Sequence, residues 1–137
     1  MKVTPRSQEE ARRVSSRELI KPGWRTSTIE EATETLSRGG NPMIALRHLV
    51  QLPDGSEQEL LDWLLNVPAL AAKFRAAVVA VDALNQYEQG EVTPEAFGGR
   101  TVSILVGIEK RGRGQPDRNY VVSYRPMSSV VSIRSAG

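Results

Sequence analysis

Basic and aromatic residues stand side by side between positions 109 and 125. The basic ones lie in a loop whose glycines and proline disfavour helix, namely Lys110, Arg111, Arg113 and Arg118. The strand that follows is predicted to place Tyr120, Val122 and Tyr124 on one face. Single-stranded nucleic acid requires positive charge along its phosphates and flat apolar surfaces for its bases. The segment therefore predicts a site of this kind, and the alternative is a solvated hairpin with core tyrosines.

Further candidates for the same ligand lie on other predicted strands. Trp24 and Arg25 begin the first strand, Arg47 occupies the less apolar face of the second, and Arg100 precedes the fourth. Trp24 can contact a base or fill the bottom of a barrel, whereas Trp63, among leucines, is predicted to lie in the core.

Residue types that support catalysis or metal binding are scarce. The chain has no cysteine and one histidine, His48, which lies on the apolar side of its strand and is expected to be a satisfied interior residue. The acidic cluster Glu30, Glu31 and Glu34 carries no metal-site signature, and no nucleotide-binding glycine motif is present. We therefore predict no catalytic residue, no metal site and no cofactor.

Charge is distributed unevenly along the 137 residues. Residues 1–25 carry seven Lys or Arg against three acids, residues 26–97 four against eleven, and residues 98–137 seven against two. The basic blocks indicate a polyanionic partner, or else they balance the acidic block within one fold. No apolar run is long enough to span a bilayer and no secretory signal is visible, so a cytoplasmic protein is expected.

Turn signals divide the chain into a basic N-terminal tail (residues 1–21), one domain (22–126) and a C-terminal tail (127–137). The two tails are expected to be flexible, although Val130–Ile133 could add an edge strand. Alternating patterns predict strands at Trp24–Leu36, Met43–Leu52, Glu57–Leu65, Thr101–Ile108 and Asn119–Arg125. Glu30–Thr35 and Glu57–Leu65 could instead be helical by composition.

One amphipathic helix of about four turns is predicted after Pro68, with a polar connection at Asn85–Phe97. Its apolar stripe comprises Leu70, Phe74, Ala77, Val78, Val81 and Leu84. Together these elements predict a mainly β (α+β) protein. Five strands with a helix between the third and fourth follow the order of a five-stranded oligonucleotide/oligosaccharide-binding (OB) barrel, and a small α+β sheet with a covering helix is the alternative.

Four short motifs occur in order along the predicted domain: Gly23-Trp24, Ser37…Gly40-Asn41-Pro42-Met43, Phe97-Gly98-Gly99-Arg100-Thr101-Val102 and Val122…Tyr124-Arg125-Pro126. Over Pro22 to Pro126 the chain resembles a phage-encoded family of small replication and recombination proteins similar to single-stranded-DNA-binding proteins. The resemblance implies an OB-like barrel without catalytic activity, and single-stranded DNA as the ligand in the bacterial host cytoplasm. It also implies a recombinase, helicase or annealing protein as partner.

The residues that carry over from this family are turn-formers rather than binding residues: Gly40, Asn41, Pro42, Gly98 and Gly99. The chain departs from single-stranded-DNA-binding proteins in its few aromatics and in its C-terminal segment, which holds Arg134 and no acid. The leading expectation is a non-enzymatic single-stranded-DNA-binding protein, in which a homodimer or higher homo-oligomer would extend the footprint. The alternatives are a structural or assembly protein that does not bind nucleic acid, and an RNA-binding barrel.

Overall fold

A computed structural model describes residues 19–127 of the chain. Within this range the elements are β1 (Gly23–Leu36), β2 (Pro42–Gln51), β3 (Glu57–Leu65), α1 (Ala71–Ala80), α2 (Leu84–Glu88), β4 (Thr101–Glu109) and β5 (Arg118–Pro126). Single 3-10 turns lie at Pro68–Leu70 and Pro94–Ala96. The five predicted strands are confirmed, each with bounds within one residue of the prediction.

All five strands of the described chain belong to one antiparallel sheet in the order β3-β2-β1-β4-β5. β1 is central: its first half pairs with β4 and its second half with β2. The two edge strands approach each other, and α1 packs against both. In residues 19–127 no backbone ladder joins β3 to β5, so the sheet is not closed into a barrel.

Two irregularities in strand pairing decide which side chains face inward. In β1 the pairing partner shifts between Ile29 and Glu31, which leaves Glu30 as an extra residue. In β5 the shift leaves Val122 extra, because Leu105 pairs with Ser123 and the next residue of β4 pairs with Val121. Since side chains alternate along a strand, one extra residue moves every later side chain to the opposite face.

The inner face of the sheet forms the core with α1. Alternate residues of the strands are buried there, together with the apolar stripe of the helix, and they include Ile29, Leu46, Leu64, Phe74, Ile104 and Val121. Burial of this apolar surface is the main favourable term in folding. No helix in residues 19–127 is long and apolar enough to cross a membrane.

The helical region differs from the single four-turn helix that the spacing predicts. α1 ends at Ala80 because Asp82 adopts a left-handed conformation (φ 62°), and α2 begins two residues later. The connection predicted to be simply polar contains α2 and the second 3-10 turn, after which Phe97 is fully buried. The apolar stripe is correct at its centre, but Leu70 at its start is exposed.

The packed part of the chain includes residues before the predicted domain boundary at Pro22. Ile20 is buried in the core, its backbone N–H donates to Asn119 Oδ1 at 2.8 Å, and the Asn119 amide donates back to the Ile20 carbonyl. The basic residues Arg12, Arg13 and Arg17, and the predicted edge strand around Val130–Ile133, lie outside the described residues.

A chain of buried polar side chains crosses the interior and joins β3 to β5. The Tyr124 hydroxyl on β5 donates to Asp62 Oδ2 on β3 at 2.5 Å, and Lys73 Nζ on α1 donates to Asp62 Oδ1 at 2.7 Å. The Tyr124 oxygen lies 2.9 Å from His48 Nε2, while His48 Nδ1 lies 2.8 Å from the Ser27 hydroxyl. Because Tyr124 gives its one proton to Asp62, His48 donates through Nε2 and accepts from Ser27 through Nδ1.

Burial sets the protonation of this network. It lowers the pKa of His48 to about 4, with the positive charge of Lys73 adding to the effect. It raises the pKa of Asp62, although the Lys73 ammonium and the Tyr124 hydroxyl oppose that change. Burial beside the Asp62 carboxylate also raises the pKa of Tyr124 well above its usual value. The expectation that His48 is a satisfied interior residue is therefore confirmed.

Candidate nucleic-acid interface

The outer surface of β1, β4 and β5 carries an aromatic–cationic pair. Trp24 faces outward beside Leu105, and one step along the sheet Ser103 pairs with Arg125. The Arg125 guanidinium carbon lies 4.1 Å from the centre of the Trp24 ring, within the range of a cation–π interaction. Trp24 remains 37% exposed. The pair therefore offers an aromatic surface and a positive charge at the same place.

A second aromatic ring lies further along the same surface. Tyr120 pairs with Gly107 across β4 and β5, and it is 44% exposed. A Cβ atom on Gly107 would approach Tyr120 Cε1 and Val122 Cγ2 to 3.0 Å each, so these two side chains occupy the space that the glycine leaves open. Tyr120 thus lies over the backbone of β4 and leaves part of its surface to solvent. We call the outward residues Trp24, Leu105, Tyr120, Val122 and Arg125 the aromatic face.

The basic loop between β4 and β5 borders the aromatic face at the end of the sheet nearest Tyr120. A turn in which the Gln115 N–H donates to the Gly112 carbonyl forms its tip, and Arg111 Nε donates to the Pro116 carbonyl at 3.0 Å. Arg113 at the tip has a left-handed conformation (φ 50°) between two glycines of positive φ. Within residues 19–127, the side chains of Lys110 and Arg113 make no hydrogen bond or ion pair, so their charges are open to a ligand.

Tyr124 does not share a face with Tyr120, contrary to the sequence prediction. Val122 is the extra residue in β5, so the side-chain alternation reverses between the two tyrosines. Tyr124 is 4% exposed and forms part of the interior hydrogen-bond network. A base cannot stack on this ring, and the assignment of Tyr124 as a binding residue is wrong.

The remaining predicted site residues occupy different places. Arg118, at the start of β5, donates to Glu109 at 2.7 Å, so a carboxylate already pairs with its charge. Arg25 donates to the carbonyl of Lys21. Arg100 precedes β4 at its opposite end, roughly 30 Å of extended chain from the basic loop. The structure therefore does not bring Arg100 together with the basic loop.

Arg47 belongs to the opposite part of the outer surface. Its guanidinium lies between two carboxylates, 3.4 Å from Glu31 and 3.5 Å from Glu59. Trp63 lies on the same surface and is 47% exposed, so its predicted place in the core is wrong. The leucine-rich context was misleading because Leu64 points inward and Trp63, its neighbour on the strand, points outward.

Sequence reasoning missed two functional candidates, Arg125 and Gly107. Strict alternation along the last strand predicts Arg125 on the face opposite Tyr120, yet it lies on the same outer surface and is the cation that contacts Trp24. Gly107 lies within the predicted strand Thr101–Ile108 and has no predicted role of its own, although its lack of a side chain makes room for Tyr120. Alternation did place Trp24 and Arg125 on strands, but no sequence signal indicated that the two side chains touch.

The remaining polar groups of the described chain form neither a metal-ligand cluster nor an unpartnered buried site. Residues 19–127 contain no group of three or more His, Cys, Asp or Glu side chains that could hold a metal ion. Every buried side-chain nitrogen or oxygen of that range has a hydrogen-bond partner. Comparison with known proteins gives no match, either to a protein-family model or to a curated protein sequence.

Proposed function

We propose that this protein binds single-stranded DNA on the aromatic face and the adjoining basic loop, without catalysing a reaction. The observation that carries the proposal is the combination of two exposed rings, Trp24 and Tyr120, with unpaired cations beside them. Stacking of a base on an aromatic ring contributes roughly 1–3 kcal/mol and tolerates any sequence. Phosphates neutralised by lysine or arginine release counterions, which adds a salt-dependent term.

The two ends of the proposed site contact the DNA in different ways. Tyr120 and Arg125 are separated by about 14 Å along β5, so they define two stacking positions on one strand of DNA. The guanidinium of Arg125 already covers one face of Trp24, and a base can stack on this pair or slide between its members. At the Tyr120 end, Lys110, Arg111 and Arg113 lie in an exposed loop and form no ion pair within residues 19–127, so their charges can pair with the phosphates.

The proposal also takes the fold to be an incomplete OB-like barrel. The strand order β3-β2-β1-β4-β5, with the main helix between β3 and β4, supports this view. The hydrogen bond from Tyr124 to Asp62 joins the two edge strands where backbone pairing is lacking. The resemblance to phage replication and recombination proteins supports the same ligand and points to a recombinase, helicase or annealing protein as partner.

A titration of fluorescently labelled oligo-dT with the full chain tests the proposal directly. Four cations, namely Lys110, Arg111, Arg113 and Arg125, predict a slope of about −3 when the logarithm of the binding constant is plotted against that of salt concentration. Measurements at about 50 and about 200 mM salt are sufficient to detect it. Association that is absent, or that does not respond to salt, would overturn the proposal.

Competition between matched DNA and RNA oligomers identifies the nucleic acid. A site that uses charge and stacking has no means of rejecting either sugar, because discrimination requires contacts to the 2′-hydroxyl. We therefore expect oligo-rU to compete with oligo-dT at a similar concentration. A marked preference for RNA would replace single-stranded DNA as the ligand while leaving the binding surface in place.

A further inference from the structure

The outer surface of β2, β3 and the second half of β1 has the opposite charge. The strand register arranges the outward residues in rows that run from β1 across β2 to β3. One row is Glu31, Arg47 and Leu61, the next is Thr33, Ala45 and Trp63, and Leu49 of β2 pairs with Glu59 of β3. Glu57 follows on the same side of β3. We call these outward residues the acidic face. Its three glutamates outnumber its one arginine, so a polyanion such as DNA is repelled there.

An exposed apolar groove lies in the middle of the acidic face. Leu61 and Trp63 are about half exposed, and with the small residues Thr33 and Ala45 they line a groove of about 220 Å³. A tryptophan and a leucine that remain half exposed lack the stabilisation that burial of their apolar surface would give, and exposed apolar patches of this kind often mark binding sites. Tryptophan and arginine are the residues that most often dominate binding energy at protein interfaces. The groove therefore has the composition of a protein-binding site rather than of ordinary surface.

Charge complementarity identifies what the groove can hold. A guanidinium stacks on tryptophan through its flat face and binds carboxylates through its N–H groups. The protein already contains such a stack, in which Arg125 lies 4.1 Å from the Trp24 ring. Glu31 lines the groove together with Trp63 and Arg47, and Glu59 lies further along β3 on the acidic face, where Arg47 contacts both carboxylates. An arginine entering from outside therefore finds a ring in the groove and a net negative charge on the face around it.

The same chain provides a projecting arginine of this kind. Arg113 is at the tip of the basic loop, in a tight turn flanked by glycines of positive φ, and its side chain has no partner within residues 19–127. Lys110 beside the turn adds a second unpaired charge. The basic tip and the groove within the acidic face are on different parts of the molecule, so one molecule can use both at once with two neighbours.

We propose that the Arg113 tip of one copy inserts into the Trp63 groove of a second copy, so that the protein associates head to tail. Such a contact is heterologous, and it extends into a chain or closes into a ring. One consequence rests on the proposed function: the basic loop is also part of the DNA site, so DNA and the acidic face of a neighbour compete for it.

Association is tested with the full chain in the absence of nucleic acid. Sedimentation velocity at about 50 mM salt, up to about 1 mM protein, should show species larger than the monomer, and about 1 M salt should dissociate them. A face variant, Glu59→Lys/Trp63→Ala, and a loop variant, Lys110→Glu/Arg113→Glu, should each weaken association by at least about tenfold. Glu88→Lys/Leu70→Ala, a matched change on the helical side, should have no such effect.

Mixing the two defective variants decides the geometry. The face variant keeps an intact loop and the loop variant keeps an intact groove, so an equimolar mixture should form a complex of two chains that cannot grow further. Circular dichroism establishes that each variant is folded before the mixture is made. A monomeric wild type, a self-associating face variant, or a mixture that stays monomeric would each overturn the proposal.

The DNA titration separates this proposal from the proposed function. The face variant should bind oligo-dT as the wild type does, because its aromatic face and loop are unchanged. If the wild type associates as expected but binds no oligo-dT, self-association stands and DNA binding fails. If oligo-dT binds while the wild type remains monomeric at low salt, DNA binding stands and head-to-tail association is wrong.

Discussion

The aromatic face and the acidic face are two parts of the outer surface of one sheet, and they carry similar residues but opposite net charge. On the aromatic face Arg125 lies over Trp24 and forms no ion pair with any described carboxylate, so its charge remains available. On the acidic face Arg47 is held between Glu31 and Glu59, and Trp63 lies in a groove that Glu31 and Arg47 also line. A tryptophan and an arginine on neighbouring strands therefore indicate a nucleic-acid site only when no cross-strand carboxylate pairs with the arginine.

Strand register produces this difference. Arg47 has Glu31 across one ladder, and Glu59 is one step along the other. Arg125 has Ser103 across its only ladder, because β5 is an edge strand. One face therefore neutralises its arginine locally, whereas the other leaves the charge for a ligand. We expect DNA to use the aromatic face and a basic protein segment to use the acidic one.

Removing the cations of the basic loop should have the largest effect on the affinity for oligo-dT. Lys110→Ala/Arg111→Ala/Arg113→Ala is expected to weaken oligo-dT binding about 100-fold at low salt and to reduce the salt slope by about 2. Arg38→Ala/Arg75→Ala removes exposed cations elsewhere and should change affinity less than twofold. A triple variant that retained the full salt slope would show that the loop does not contact phosphate.

The buried His48 predicts a loss of stability in acid that should not affect either face. Its folded pKa of about 4 lies below the unfolded value of 6.5, so between these values the unfolded state binds a proton that the folded state does not. The free energy of unfolding should therefore fall by about 2 kcal/mol between pH 7 and pH 5. Denaturant titrations should show this fall in the wild type and a flatter profile in His48→Gln. An equal fall in both proteins would contradict the assignment.

Truncation of one exposed ring on each face gives the next largest contrast. Tyr120→Ala should weaken oligo-dT binding about tenfold, because a base loses its stacking surface. Trp63→Ala should leave binding within twofold of the wild type, although it removes a larger ring. Equal losses in the two variants would indicate that DNA crosses both faces.

A smaller effect is expected at the glycine beneath Tyr120. Gly107→Ala introduces a Cβ atom within 3.0 Å of the Tyr120 and Val122 side chains, so both must move. Binding of oligo-dT should weaken about threefold in the wild-type background and remain unchanged in a Tyr120→Ala background. If Gly107→Ala weakens binding equally in both backgrounds, the glycine acts on the sheet rather than on the tyrosine.

The strands could be predicted from the sequence, since alternation and turn residues mark all five. The face on which each side chain lies could be predicted from alternation only as far along a strand as its first β-bulge. No pattern announces that Val122 is an extra residue in β5, and this residue separates the inward Tyr124 from the outward Tyr120. Trp63 was misplaced for a different reason, because β3 has leucines on both of its faces and alternation alone does not say which of two adjacent residues points inward.

The interior network and the helix break lay beyond sequence reasoning for another reason. Tyr124 reaches His48 and Asp62 across separations of 76 and 62 residues, and only the folded sheet brings these strands together. α1 ends next to a left-handed aspartate, whereas the usual sequence signal for a helix end of this kind is glycine or asparagine. Both features depend on tertiary packing rather than on local preference.

Intrinsic fluorescence tests the central claim most directly, because the chain has two tryptophans and one lies on each face. Trp63→Phe leaves Trp24 as the only reporter, and Trp24→Phe leaves Trp63. Oligo-dT added to protein dilute enough to be monomeric should quench the emission of Trp24 in a salt-sensitive titration and leave that of Trp63 unchanged. Quenching of Trp63 with an unchanged Trp24 signal would contradict the assignment of DNA to the aromatic face.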